Sequence, residues 1–197
     1  MHAAVVTSFD RPPRYQTIDA PVPTGEDDIL IDVIASGLHP RVRSQAGGSH
    51  YTSTDQLPLV PGVDGVGRTA NGQLRYFLLG DTTMGAMAEQ TVVDRRRTVA
   101  LPDDVDPLVI AAAMNPAMSS WVALRKRIDF RPGQSVLVLG ATGSAGQLAV
   151  QIAKHLGASR VIAAGRDQGR LDRLAAGDAN EVVSLVGSPE EVAPRLG

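Results

Sequence analysis

The sequence predicts an α/β chain in two parts, a β-rich barrel-like first half followed by a parallel strand–helix–strand second half. Three observations predict it. Short β-branched runs punctuated by Gly and Pro fill residues 1–105. From Asp106 onward, apolar strand-like runs alternate with helix-period segments. The first strand of that alternation enters a glycine-rich elbow, "GATGSAG" at 140–146. The 197 residues are 43% hydrophobic and 20% charged, enough to build a core and too apolar for a disordered polymer. A net charge of −2 gives no electrostatic reason to expect nucleic acid or an anionic membrane as partner. The N-terminal apolar stretch is too short for a signal-peptide core, and no other run is expected to reach membrane-spanning length. The chain has no cysteine, which excludes disulfides and a thiolate zinc site and accords with a cytoplasmic protein.

In the first half, "DDILIDVIASGLH" (27–39) is a β-branched strand closed by Ser36-Gly37. "VPGVDGVGRTANGQLRYFLLGD" (60–81) places Asn71-Gly72 between two strand-like runs, the signature of a two-residue type I′ hairpin. "MAEQTVVD" (87–94) is a further strand, and the short strands together imply a compact barrel-like module. Arg95, Arg96 and Arg97 read as a solvated loop rather than a nucleic-acid patch.

The second half opens with Asp106 as N-cap and Pro107 at the first helical position. Asn115-Pro116 is expected to break or kink this helix, with a second helix from about Ala117 to Lys126. Met114, Met118 and Trp121 read as core on its face. Then follow strand "SVLVLG", a helix with Leu148, Ile152 and Leu156 on one face, strand "RVIAAG", helix "DQGRLDRLAAG" and strand "EVVSL". A last helix begins at Ser188, with Glu191 at capping-box spacing. Apolar strands without alternation imply a parallel sheet buried on both faces.

The elbow carries the chemistry. Ala141 stands at the tight turn, Gly143 where backbone must approach a pyrophosphate, and Gly146 where helix and strand pack closely. With Thr142, Ser144 and Ala145 between them, these residues open a helix whose free N–H groups and positive dipole end attract phosphate. Nucleotide choice depends on the end of the second strand, where an acid binds ribose hydroxyls and a base pairs with a 2′-phosphate. Here the chain reads Gly165-Arg166-Asp167, with Arg170 one helical turn on, which favours NADP(H) over NAD(H). Asp167 is either a ribose-binding acid or the N-cap of the next helix.

On these motifs the chain resembles the medium-chain dehydrogenase/reductase superfamily, most nearly its zinc-independent quinone oxidoreductase-like branch. The likeness runs through "SGLHPRVRSQAGG", "LPLVPGVDGVG", "GAMAEQTVVD", "NPAMSSWVAL" and "RPGQSVLVLGATGSAGQLAVQIAKHLGA". It implies a GroES-like domain over 1–105, a Rossmann NADP-binding domain over 106–197, and hydride transfer from NADPH to a quinone or enone, often in a homodimer. Zinc-dependent relatives carry a cysteine near Leu38-His39 and Gly-His-Glu where this chain has Gly62-Val63-Asp64, so the zinc ligands are missing. By resemblance, His39 and Tyr51 face the substrate cleft and orient a carbonyl. His39 and His50 also read as ordinary turn or packing residues. Ser119, with Ser120 as the rival alignment, stands where relatives place a hydroxyl near the nicotinamide. Leu185 replaces a tyrosine that contacts nucleotide in relatives.

Only the first half of a Rossmann sheet is present in this reading. Its first strand would be an open apolar edge, inviting association with a second copy or another chain. The expectation is therefore a truncated chain, a fragment or one piece of a split enzyme. The principal reading is an NADPH-dependent reductase; the alternatives are a catalytically silent NADP(H)-binding or scaffold protein and a zinc-type alcohol dehydrogenase relative.

Overall fold

The computed structural model describes residues 1–49 and 55–196, which divide into two compact units, Met1–Asn115 and Pro116–Gly197. Both sheet types expected from the sequence are present. In the first unit, β1 (His2–Val5) pairs antiparallel with β2 (Arg14–Thr17). A five-stranded antiparallel sheet contains β3 (Asp28–Ser36), β4 (Asp64–Thr69), β5 (Leu74–Leu78), β6 (Gln90–Asp94) and β7 (Thr98–Ala100), in the order β6-β3-β4-β5-β7. A register shift between Val33 and Ala35 interrupts the β3–β4 ladder as a bulge, a device that bends a strand and strengthens its twist. Ile31, Phe77, Leu79, Ala86 and Val93 form one core cluster; Val66, Leu74, Tyr76 and Ala111 form another. The short helix α1 (Pro40–Ala46) follows β3 and buries Val42.

The β4–β5 turn differs from the type I′ expectation. Among the described non-glycine residues none has positive φ, so Asn71 cannot supply the first residue of that turn. Instead the Gly72 amide donates to the Thr69 carbonyl (2.8 Å), and Gly72 alone takes the left-handed conformation at φ +82°. Thr69 N–H then bonds Gln73 C=O (3.1 Å), closing a longer loop in which only one residue needs positive φ.

Helix α2 (Pro107–Val122) is continuous through Pro116, correcting the expected break. Asp106 caps it by accepting from Leu108 N–H at 2.8 Å. Pro116 cannot donate to the carbonyl four residues back, but that residue, Ala112, is exposed, so water can satisfy the oxygen. A π-helical turn, Ala123–Arg127, extends the run. The joined run, Pro107–Arg127, is 21 residues long and apolar enough to cross a bilayer by length and composition alone. The sequence expectation of no such run fails because it divided this helix at proline. Trp121 and Met118 are 42% and 38% exposed, not core. Trp121 instead lies beside His155, with Arg125 over its ring at 5.9 Å. Met114 does pack against the first unit's second cluster.

The second unit holds the parallel sheet β10-β9-β8, from β8 (Ser135–Leu139), β9 (Arg160–Gly165) and β10 (Glu181–Ser184). Helices α3 (Ser144–His155) and α4 (Gln168–Ala176) connect these strands, and α5 (Pro189–Val192) follows β10 with the expected Ser188–Glu191 capping box. The buried side chains of α3 are Val150 and Ala153; Leu148, Ile152 and Leu156 are half-buried, so the wide aliphatic stripe is not the face that enters the core. Only β9 is buried along most of its length. On β8, Leu137 and Leu139 are exposed while Val136 and Val138 on the opposite face pack into the core, correcting the expectation of strands buried on both faces; among the described residues β8 also has a hydrogen-bonded neighbour on one side only.

Candidate functional site

The elbow between β8 and α3 is held by its own backbone. Gly140 and Ala141 N–H both donate to the Ala164 carbonyl on β9, and Gly143 N–H donates to Gly140 C=O (3.0 Å). The Thr142 carbonyl is fixed from two sides, by Gln147 Nε2 (3.3 Å) and Arg170 Nη1 (2.7 Å). A Cβ on Gly146 would lie 2.2 Å from the Gly140 oxygen and 2.7 Å from the Ala141 Cα, so helix and turn meet backbone to backbone. Gly165 likewise has no room for a Cβ, which would lie 2.4 Å from the Thr142 methyl.

Gly143 is different. It caps α3 at φ −83°, an ordinary backbone conformation, and an added Cβ would meet only the Gly140 oxygen, at 3.5 Å. Nothing within the protein requires glycine there. The space beside it faces a helix start with no side-chain cap, and the amides of Ser144, Ala145 and Gly146 have no acceptor among the described residues. An uncapped helix start with an open glycine is the geometry that receives a pyrophosphate. These residues therefore fit a dinucleotide.

At the end of β9 the two readings of Asp167 separate. Its carboxylate caps α4, accepting from Arg170 N–H at 3.0 Å, with Arg170 Nε 3.5 Å from the other oxygen. Asp167 is thus engaged as a cap. Arg170 is engaged as well, through Thr142 and Asp167, whereas Arg166 is exposed and has no hydrogen-bond or ion-pair partner among the described residues.

In the first unit, His39 ends the segment after β3 and precedes α1. It stands at the N-cap position, yet its side chain makes no capping bond, and Pro40 at the first helical position needs no acceptor. The imidazole turns instead to Asp64 at the start of β4, with Nε2 2.9 Å from Oδ1. Tyr76 on β5 donates its hydroxyl to Asp64 Oδ2, also at 2.9 Å. Asp64 is opposite Leu78 in the ladder, so Tyr76 is its diagonal neighbour two residues along, within reach on the same face. The Asp64 side chain is fully buried and the His39 side chain is 12% exposed. A buried carboxylate is tolerated where its oxygens are hydrogen-bonded, and here each has a donor. Burial pushes the Tyr76 phenol above its ordinary range, and the neighbouring Asp64 charge and hydrogen bond act in the same direction, so Tyr76 stays a donor. Gly37 makes room for the carboxylate: a Cβ there would lie 2.6 Å from Asp64 Oδ1.

His39 also lines an open, largely apolar cleft of about 530 Å³ with Leu38, Pro40, Arg43, Pro61 and Met87. Tyr51 and His50 lie outside the described residues. Ser119 is exposed on α2, while Ser120 is half-buried with its hydroxyl on the Ala117 carbonyl. Leu185 donates its amide to Gly165 C=O at 2.7 Å, a backbone contact that any residue but proline could make. Sequence reasoning considered Asp64 only as a metal ligand and missed the Asp64–Tyr76 pair. The available signal was an acid inside the apolar run "VPGVDGVG", since a carboxylate there needs partners.

No protein-family model matches the chain. Among curated proteins, it is 34% identical to the probable NADPH-dependent quinone reductase tdiC of Emericella nidulans, over 84% of this chain and 55% of that protein. It is 32% identical to the chloroplastic NADPH-dependent alkenal/one oxidoreductase of Arabidopsis thaliana, over 70% of this chain and 40% of that one. Among solved structures, the quinone oxidoreductase of Thermus thermophilus, known also in complex with NADPH, superposes with a TM-score of 0.83 at 30% identity, over all of this chain and 64% of that one. The chain spans about half the length of the curated relatives it matches. A barrel-like antiparallel unit, a parallel unit with a glycine elbow, and likeness to these reductases in both sequence and fold have one common explanation: over the residues it spans, the chain is a homologue of the quinone oxidoreductase-like reductases.

Proposed function

We propose that the chain binds NADP(H) on the β8–α3 elbow and serves the zinc-free reduction of a quinone or enone in the cytoplasm. The observation that carries this reading is the open Gly143 beside three amides without acceptors, with the cation of Arg166, unpartnered among the described residues, at the end of the next strand. In this assignment Ala141, Thr142, Gly143, Ser144, Ala145 and Gly146 receive the pyrophosphate. Gly165 lets the chain pass close to Thr142, and Arg166 pairs with the 2′-phosphate. Arg170 acts as a pin on the elbow backbone. NADPH, when bound, supplies the hydride. Residues 1–105 form the substrate side and 106–197 the nucleotide side. The zinc-free reading rests on donor chemistry: no cysteine stands near Leu38-His39, Val63 stands where zinc-dependent relatives have the histidine of Gly-His-Glu, and Asp64 is already engaged by His39 and Tyr76. His39, Tyr51 and Ser119 are the candidates for contact with the acceptor.

Titration of the chain with NADPH and NADH tests the cofactor assignment. NADPH is expected to bind more tightly, and Arg166→Ala to remove about 10- to 150-fold of that preference, the worth of one charge-assisted contact. Equal affinities in the unsubstituted chain would refute it. The exposed β8 edge favours a second reading, a silent NADP(H)-binding scaffold that pairs this edge with a second copy or another chain. NADPH binding and edge-mediated association without turnover of 1,4-naphthoquinone would select that reading.

A further inference from the structure

We propose that Asp64 and Tyr76 are positioning residues that hold the His39 imidazole with its Nε2–H on the buried carboxylate and its Nδ1 free as the proton-exchanging atom of the Leu38–Met87 cleft. The geometry follows from three contacts. Tyr76 remains protonated and can only donate to Asp64 Oδ2, at 2.9 Å. Oδ1 then accepts from Nε2, which fixes the ring's orientation. The two ring nitrogens point in widely divergent directions, so Nδ1 faces away from Asp64, and it has no partner among the described residues. A carboxylate behind an imidazole orients the ring and fixes which nitrogen carries the hydrogen-bonded proton. Among the described residues, the titratable and charged groups around the ring are Asp64 from β4, Tyr76 behind it on β5, and Arg43 from α1 on the cleft wall.

The chemical role rests on the reductase reading. Hydride addition gives the acceptor two electrons and leaves an oxyanion that needs a proton. Doubly protonated His39 donates its Nδ1 proton: the N–H bond breaks, an O–H bond forms, and the neutral ring keeps its Nε2–H on Asp64. Water then returns the proton to Nδ1.

Proton NMR of the ¹⁵N-labelled chain, without cofactor, tests the anchor by itself. A low-field, slowly exchanging imidazole N–H resonance is expected, lost in His39→Gln and moved upfield in Asp64→Asn. Tyr76→Phe keeps the Asp64 charge and is expected to shift the same resonance, which covers the case that Asp64→Asn fails to fold. No such resonance in the unsubstituted chain, or one unmoved by both Asp64→Asn and Tyr76→Phe, overturns the proposal. Turnover of NADPH with 1,4-naphthoquinone tests the role: Asp64→Asn is expected to lower kcat about 100-fold with NADPH affinity unchanged, as for loss of a positioned general acid. An unchanged kcat overturns that role. A low-field resonance without turnover by the unsubstituted chain supports the anchor and refutes the reductase reading instead.

Discussion

Two alanine substitutions three residues apart should have opposite effects. At Gly146 the new Cβ would sit 2.2 Å from the Gly140 oxygen and 2.7 Å from the Ala141 Cα, both backbone atoms of a turn held by its own hydrogen bonds. Neither atom can swing aside as a side chain would. Overpacking of this kind costs about 1–3 kcal/mol, and the contact distances put this site at the upper end. Alanine regains about 1 kcal/mol of helix propensity, leaving a net loss of about 1–2 kcal/mol. At Gly143 the nearest atom to the new Cβ is 3.5 Å away and φ is −83°, so nothing clashes. A poorer N-cap and a less flexible unfolded chain roughly offset each other, leaving stability within about 0.5 kcal/mol. The Gly143→Ala methyl does fill the space in front of the Ser144, Ala145 and Gly146 amides. Losing one such contact to a charged phosphate is worth about 1.5–3 kcal/mol, or roughly a 10- to 150-fold weaker NADPH Kd. Urea denaturation and NADPH titration of both variants read these effects. Gly143→Ala that binds NADPH like the unsubstituted chain would refute the cradle; Gly146→Ala of unchanged midpoint would refute the packing argument.

Other outcomes follow from single contacts. Tyr76→Phe leaves the buried Asp64 Oδ2 without its donor and should cost about 1–3 kcal/mol, read as a lower urea midpoint at unchanged slope. Asp94, held by the Arg96 guanidinium and amide, has its carboxyl lowered from 3.8 to about 2. Because the folded value is the depressed one, its contribution is complete above the ordinary value and disappears as pH falls through about 2. Arg96→Ala should return the Asp94 titration, followed by carboxyl NMR, towards the ordinary carboxylate range. Leu139→Lys places a charge on a side chain that is 65% exposed on the open β8 edge. It should reduce self-association in gel filtration while changing stability by no more than about 0.5 kcal/mol.

The parallel unit was largely legible because its strands centre on apolar runs and two of its helices start at recognisable side-chain caps, Asp167 and Ser188. Local rules failed where the partner of a group lies outside the window that defines the rule. Pro116 breaks a helix only if the carbonyl four residues back has no other donor; Ala112 is exposed to water, and the helix continues. Asn71-Gly72 signals a turn correctly, but the turn type depends on which residues close the ladder, here Thr69 and Gln73. Asp64 carried a readable anomaly, an acid in an apolar run, without naming its partners. Tyr76 becomes its neighbour only through the β4–β5 register, and that register is set by the same turn.

Nucleotide binding and proton delivery also lie on separate foundations. The amide cradle depends on β8, α3 and β9 in the second unit, and the imidazole anchor on β4, β5 and the start of α1 in the first. Each unit has its own buried cluster, so disturbing one set of contacts need not disturb the other. Gly143→Ala should therefore weaken NADPH binding while leaving the His39 low-field resonance in place, and Asp64→Asn should move that resonance while leaving NADPH binding unchanged. Independent sites with no shared partners have additive effects within about 0.3–0.5 kcal/mol. If the double variant showed binding or stability changes well outside that sum, the two sites would be coupled, and His39 would have to be read as part of the nucleotide site rather than as a proton donor held independently of it.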